Sequence, residues 1–167
     1  MAERQGPGEG EVISWDRCCE AFHVDGSLRD IYVFGTNTSD WDRFLDLVRS
    51  STWSWSYAAD ASSDLLPESA EQVFADTDRA KALHVDLGSI QVACHFFVPE
   101  EIELDIDPRE VQSQEAMDRV LSFVLRLGRC LEKEVVLTEE NSADWVWFRY
   151  GPGSDAITFA APERKRS

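Results

Sequence analysis

The chain has 167 residues, with 32 acidic against 16 basic side chains and a formal net charge of −16. This length suits one domain with a substantial core. A field of that sign repels nucleic-acid phosphates and anionic lipid, so a basic protein is the expected partner, with no nucleic acid and no membrane. No apolar run reaches the roughly 18 residues of a membrane span, and the opening MAERQGPGEGEV lacks the apolar core of a secretory leader. The four cysteines, Cys18, Cys19, Cys94 and Cys130, match neither zinc nor redox spacing. They are expected to be reduced and mostly buried, in a cytoplasmic setting.

Residues 1–11, rich in Gly and Glu, bury too little to offset ordering and are expected as a flexible tail. A single α+β domain is expected over residues 12–161, and residues 162–167 as a basic tail. Two β-like runs around residues 15–24 and 29–34 flank Asp25-Gly26, a dipeptide suited to tight turns, and suggest an opening hairpin. Over residues 36–50 the period changes: Trp41, Phe44, Leu45 and Val48 fall at i, i+3, i+4 and i+7, an amphipathic helix, with Ser39 as its expected cap and Asp42 three residues on.

Trp53, Trp55 and Tyr57 alternate with serines and share one side of a strand, most economically as core aromatics. Residues 60–64 read as a polar loop. Pro67 then introduces a short helix with Ala70, Val73 and Phe74 on one face, placed to cover an end of the sheet. After a central meander, residues 113–133 carry the apolar stripe Met117, Val120, Leu121, Val124, Leu127 and Leu131, the main cover of the sheet. Strands are expected at residues 134–138, 145–150 and 156–160, with a solvated turn over Glu139, Glu140 and Asn141. The resulting fold class is α+β, a mainly antiparallel sheet with two main helices on one face, ferredoxin-like or related.

The organising stretch is residues 83–109. Gly88-Ser89 as a two-residue turn pairs Leu87 with Ile90, Asp86 with Gln91, Val85 with Val92 and His84 with Ala93. In the third run Ile102, Leu104 and Ile106 alternate with Glu103, Asp105 and Asp107, and matching the apolar phases puts His95 and Phe97 on the acidic side. His95 then lies opposite Asp105 or near it. One surface gathers His84, Asp86, Gln91, His95, Phe97, Glu103, Asp105 and Asp107.

Such a surface is either a solvated sheet face, a partner-binding face or a metal or acid/base site. No nucleophile, phosphate loop or His-x-x-x-His spacing is present; Cys94 and His95 point to opposite faces, so no catalytic residue, metal or cofactor is assigned. The leading expectation is a non-enzymatic protein-binding module using His84, Asp86, His95, Phe97, Glu103, Asp105 and Asp107. Its concrete version is a bacterial immunity protein that neutralises a basic toxin. The alternatives are a metal-dependent or acid/base enzyme working through His84, His95 and Asp105, and a nucleic-acid mimic presenting carboxylates in place of phosphates.

Overall fold

The structure is a computed structural model that describes residues 12–60 and 62–163. The tail expected over residues 1–11 and residues 164–167 of the expected basic tail lie outside the described residues. The fold is α+β. Helices α1 (Trp15–Cys18), α2 (Thr38–Ser50), α3 (Ala70–Ala75) and α4 (Gln114–Leu131) accompany strands β1 (Arg29–Phe34), β2 (Ser54–Ala59), β3 (Ser62–Asp64), β4 (Lys81–Asp86), β5 (Gln91–His95), β6 (Glu101–Ile106), β7 (Val135–Glu139), β8 (Ser142–Gly151) and β9 (Ala156–Phe159). Among the described residues they form a nine-stranded sheet in the order β3-β2-β4-β5-β6-β1-β7-β8-β9.

Every strand pairing is antiparallel. Because β6 and β7 both pair antiparallel with β1 between them, they run parallel to each other and α4 links them across β1, a split βαβ unit. A ferredoxin-like arrangement shares that unit, but here β4, β5 and β6 stand between the two strands joined by α2, and the sheet continues past β7.

The core lies on one side of the sheet. Ile31 and Val33 of β1, Leu83 and Val85 of β4, Val92 and Cys94 of β5, and Ile102, Leu104 and Ile106 of β6 form one buried cluster with Trp41, Phe44, Leu45 and Val48 of α2 and Met117, Val120, Val124 and Leu127 of α4. The period-2 alternation of the strands and the 3.6-residue stripe of the helices meet there, as apolar burial requires. Trp41 anchors an aromatic knot, with Phe44, Phe74 and Phe96 rings 6.1, 5.2 and 5.1 Å away. Tyr57 is buried, and Trp53 packs on Phe123 with the Arg126 guanidinium 4.3 Å from its ring. Trp55 shares their phase but stays partly exposed near the sheet's edge.

Several local expectations are corrected. The opening segment is no hairpin: α1 runs into a 3-10 turn at Cys19–Phe22. Trp15, Cys18 and Phe22 follow i, i+3, i+7 spacing, and Phe22 stacks between Trp15 and Phe148 at 6.1 and 6.0 Å. Asp25 instead closes a local turn by accepting from the Ser27 amide and hydroxyl, the side-chain mimicry of a backbone turn that Asp favours. Asn37, two residues before Ser39, caps α2, and Asp40 completes a reciprocal capping box. Asp42 accepts from the Ala70 amide at the start of α3. The polar loop over residues 60–64 contains β3, paired to β2. β8 begins at Ser142, earlier than alternation indicated, because a bulge against β7 absorbs the break in phase. Of the cysteines, Cys18 and Cys94 are buried, but Cys19 is exposed and Cys130 half-buried, and none of the four is in a disulfide.

Arg29 is the largest charged group in the core. Its side chain is 1% exposed, and every part of the guanidinium is engaged: Nε donates to Ala21 O at 2.7 Å, Nη2 to His23 O at 2.8 Å, and Nη1 to Ser27 Oγ and Leu28 O at 2.9 and 3.0 Å. Glu139 and Asp25 carboxylates stand 3.4 and 3.6 Å from it.

Replacing Arg29 with Met leaves those carbonyls without their donors and is expected to lower unfolding free energy by about 3 kcal/mol, measurable by urea denaturation. At Gly128 of α4 an added Cβ would meet the buried Tyr150 ring at 2.1 Å. Gly128→Ala, although it improves helix propensity by roughly 1 kcal/mol, should therefore lower the melting temperature, since overpacking costs about 1–3 kcal/mol.

Candidate partner-binding face

The side of the sheet away from the helices takes its character from three adjacent strands. Gly88, at φ +80°, supplies the first central position of the β4–β5 turn, and the Leu87 amide donates to Ile90 O at 2.7 Å. The register is the one expected, with Asp86 opposite Gln91, His84 opposite Ala93 and Leu83 opposite Cys94. β6 then sets His95 beside Glu103 and Ala93 beside Asp105, while β1 sets Tyr32 beside Glu103, Asp30 beside Asp105 and Phe34 beside Glu101.

Three rows result. Glu101, Glu103 and Asp105 form a column on β6, with Asp30, Tyr32 and Phe34 on one flank and His95, followed by Phe97, on the other. The flanking rings stack along their strands: Tyr32 and Phe34 centroids lie 5.1 Å apart, His95 and Phe97 5.3 Å apart. Tyr32 is buried and His95 half-buried, whereas Phe34 and Phe97 are 45% and 62% exposed, and Val98, next after Phe97 in the chain, is exposed too. An apolar rim thus borders a column of acids.

Charge is concentrated at the middle of this surface. His95 Nε2 meets Asp105 Oδ2 at 2.6 Å, diagonally across the strand pair. The Asp105 hydrogen bond raises the histidine's pKa above its ordinary value against an opposing effect of burial, with Asp105, Glu103 and Asp30 charges adding to the rise. Glu103 is pushed up by burial and then by the Asp30 and Glu101 charges. Asp30 is almost fully buried, and that burial raises its pKa despite hydrogen bonds received from the Asn141 amide at 2.8 Å and the Tyr32 hydroxyl at 3.0 Å. Burial and the Asp30 bond also raise the Tyr32 phenol.

Of the seven residues expected to form the site, the structure gathers His95, Phe97, Glu103 and Asp105. His84 shares the face but is separated from Asp105 by Ala93, two strand spacings or about 9–10 Å. Asp86 stands at the β4 end, lining a cleft of about 610 Å³ with Trp53, Leu87, Asp118 and Arg119. Asp107 is used locally, accepting from the Arg109 amide at 2.9 Å and pairing with its guanidinium at 2.6 Å. His84, His95 and Asp105 therefore make no common ligand set, and among the described residues no group of three or more His, Cys, Asp or Glu side chains is arranged to hold a metal ion.

Asp30, Tyr32 and Phe34 escaped the sequence reading because β1 is distant in the chain from β6. The signal available was the alternation of Asp30, Tyr32 and Phe34 against Ile31 and Val33, which assigns a phase but no neighbour. The Glu139–Asn141 turn is also more than a solvated connection. Asn141, at φ 55°, presents its amide to Asp30, and Glu140 accepts from the Leu28 amide at 2.9 Å. No protein-family model, curated protein or solved structure matches the chain.

The raised pKa values carry a definite sign. His95, Asp30 and Glu103 all hold protons more tightly folded than unfolded, so their stabilising share is present below the unfolded pKa and is lost as pH rises through the folded pKa. For His95 that loss begins above its ordinary value near 6.5. Unfolding free energy from urea titrations should fall between pH 6 and pH 8, and the fall should be smaller in His95→Gln.

Proposed function

We propose that this chain is a non-enzymatic binding protein that uses the β1–β6–β5 face to hold a basic protein. In its concrete form the reading is an immunity protein of bacterial type, neutralising a basic toxin. The observation that carries it is the carboxylate column Glu101, Glu103 and Asp105 bordered by the exposed Phe34 and Phe97. A binding surface combines apolar anchors, which supply burial energy, with charged groups that orient and select the partner. The buried side chains of α2, α3 and α4 join the cluster on the opposite side, so a partner approaching this face meets side chains of the sheet itself. The net charge of −16 adds long-range steering of a cationic partner, an effect that weakens as salt shortens the screening length.

The test is a comparison of variants on immobilised protein exposed to extract from its native host. A basic protein retained in stoichiometric amount by the wild type, lost with Phe97→Asp or Glu103→Lys and kept with the distant α4 change Glu115→Lys, is the expected result. The association rate of that partner should fall several-fold between 50 and 300 mM salt, about the range over which exposed charges become screened. Retention that survives both face substitutions sinks the reading.

A further inference from the structure

Resting on the binding face proposed above, we propose that His95 is a built-in competitor for the partner's cation: protonated, its imidazolium offsets the charge of Asp105 within the acidic column, and neutral, it leaves the column its full negative charge for binding. The geometry is specific. Nε2 lies 2.6 Å from Asp105 Oδ2, the ring is braced by stacking on Phe97 at 5.3 Å, and Glu103 is its direct cross-strand neighbour. An Arg or Lys side chain of a partner seeking Asp105 and Glu103 competes with the imidazole for Asp105 Oδ2, the oxygen it already holds. A positive charge placed there also repels the incoming one.

The carboxylates facing His95 all act in the same direction. From β6 come Asp105 and Glu103, and from β1 Asp30, each favouring the imidazolium. Across β4 its direct neighbour is Ala82, which carries no charge, and His84, opposite Ala93, is the diagonal neighbour on the same face. On the side of the cleft it shares with Phe74 and Phe96 stand Arg79 and Lys81. These two cations are tied elsewhere, Arg79 to Asp76 at 2.6 Å and Lys81 Nζ to the carbonyls of Val73 and Asp76. Acidification therefore adds protons where the partner's cation would sit. Elsewhere, Asp25, Asp76, Asp107 and Asp155 have their carboxyls held below the ordinary range, by Ser27 for the first and by Arg79, Arg109 and Arg129 for the others. Those surfaces keep their charge in mild acid.

A nona-arginine peptide is a suitable probe, since guanidinium does not titrate in this range. Its affinity for the full chain, measured by calorimetry at pH 8.0 and pH 5.5 at constant ionic strength, should weaken at least five-fold on acidification. His95→Gln, which keeps a donor for Asp105 without a titrating charge, should reduce that change to two-fold or less, while His23→Gln, at an exposed residue just after the 3-10 turn, leaves it intact. A wild-type affinity that does not weaken, or a His95→Gln variant with the full pH dependence, overturns the gating. The underlying face is read separately at pH 8.0: if Glu103→Gln and Phe97→Ala leave peptide affinity unchanged, the peptide binds elsewhere and the face reading fails. Weakening by both, combined with pH dependence that survives His95→Gln, leaves the face standing and removes only the gate. Far-UV circular dichroism of each variant confirms that the fold is retained.

Discussion

The buried Arg29 guanidinium is the interaction that ties the segment before β1 to the sheet. An isolated cation inside a protein costs several kcal/mol, and only a full set of partners offsets that cost. Here the partners come from three directions: carbonyls of the helical turn at Ala21 and His23, the bend at Ser27 and Leu28, and Glu139 at the end of β7. A chain this acidic has carboxylates in excess, yet the guanidinium is answered mostly by neutral backbone oxygens. Those oxygens belong to a segment too short to satisfy its own carbonyls, so the cation and the helix end each supply what the other lacks.

Arg29 sits in the apolar phase of β1, and its strand neighbour Asp30 in the other. The two residues divide the strand's work. Arg29 fastens the entry segment to the core, while Asp30 holds the β7–β8 turn through the Asn141 amide and borders the acidic column. Burying Asp30 next to Asp105, Glu103 and Glu140 concentrates negative charge in partly desolvated surroundings, which is why the protons of this face are held tightly. A surface that retains such like-charge crowding stores unfavourable energy that an added cation relieves.

Much of this layout was legible in the sequence where the interactions are local. The β4–β5 register followed from one turn, Gly88-Ser89, and from alternation on both sides of it. His95, Phe97, Glu103 and Asp105 were grouped by the same logic because β5 and β6 are consecutive. The long stripe of α4 and the aromatic face of α2 read correctly from their period. What was not legible depends on distant partners or on competition between local patterns. Trp15, Cys18 and Phe22 satisfy a helical period as well as their neighbours satisfy an alternating one, and packing against Phe148 decides between them. Asn37 and Ser39 are both acceptable caps, and the reciprocal bond with Asp40 selects the first. Nothing local places β1 between β6 and β7, so half of the candidate face was invisible until the strand order was known.

That strand order has a further consequence for how the chain is made. β1 emerges from the ribosome well before both of its neighbours, β6 and β7, and the second of these follows α4. Ile31 and Val33, with the backbone donors and acceptors between them, therefore wait for their native partners until β6 and β7 have been made. Contacts of such long sequence separation form slowly and leave an exposed strand open to wrong partners in the interval. Arg29, Asp30 and the carboxylates nearby place charge beside that apolar stretch during the wait, so the same residues that organise the finished sheet also keep its central strand soluble until it can be enclosed.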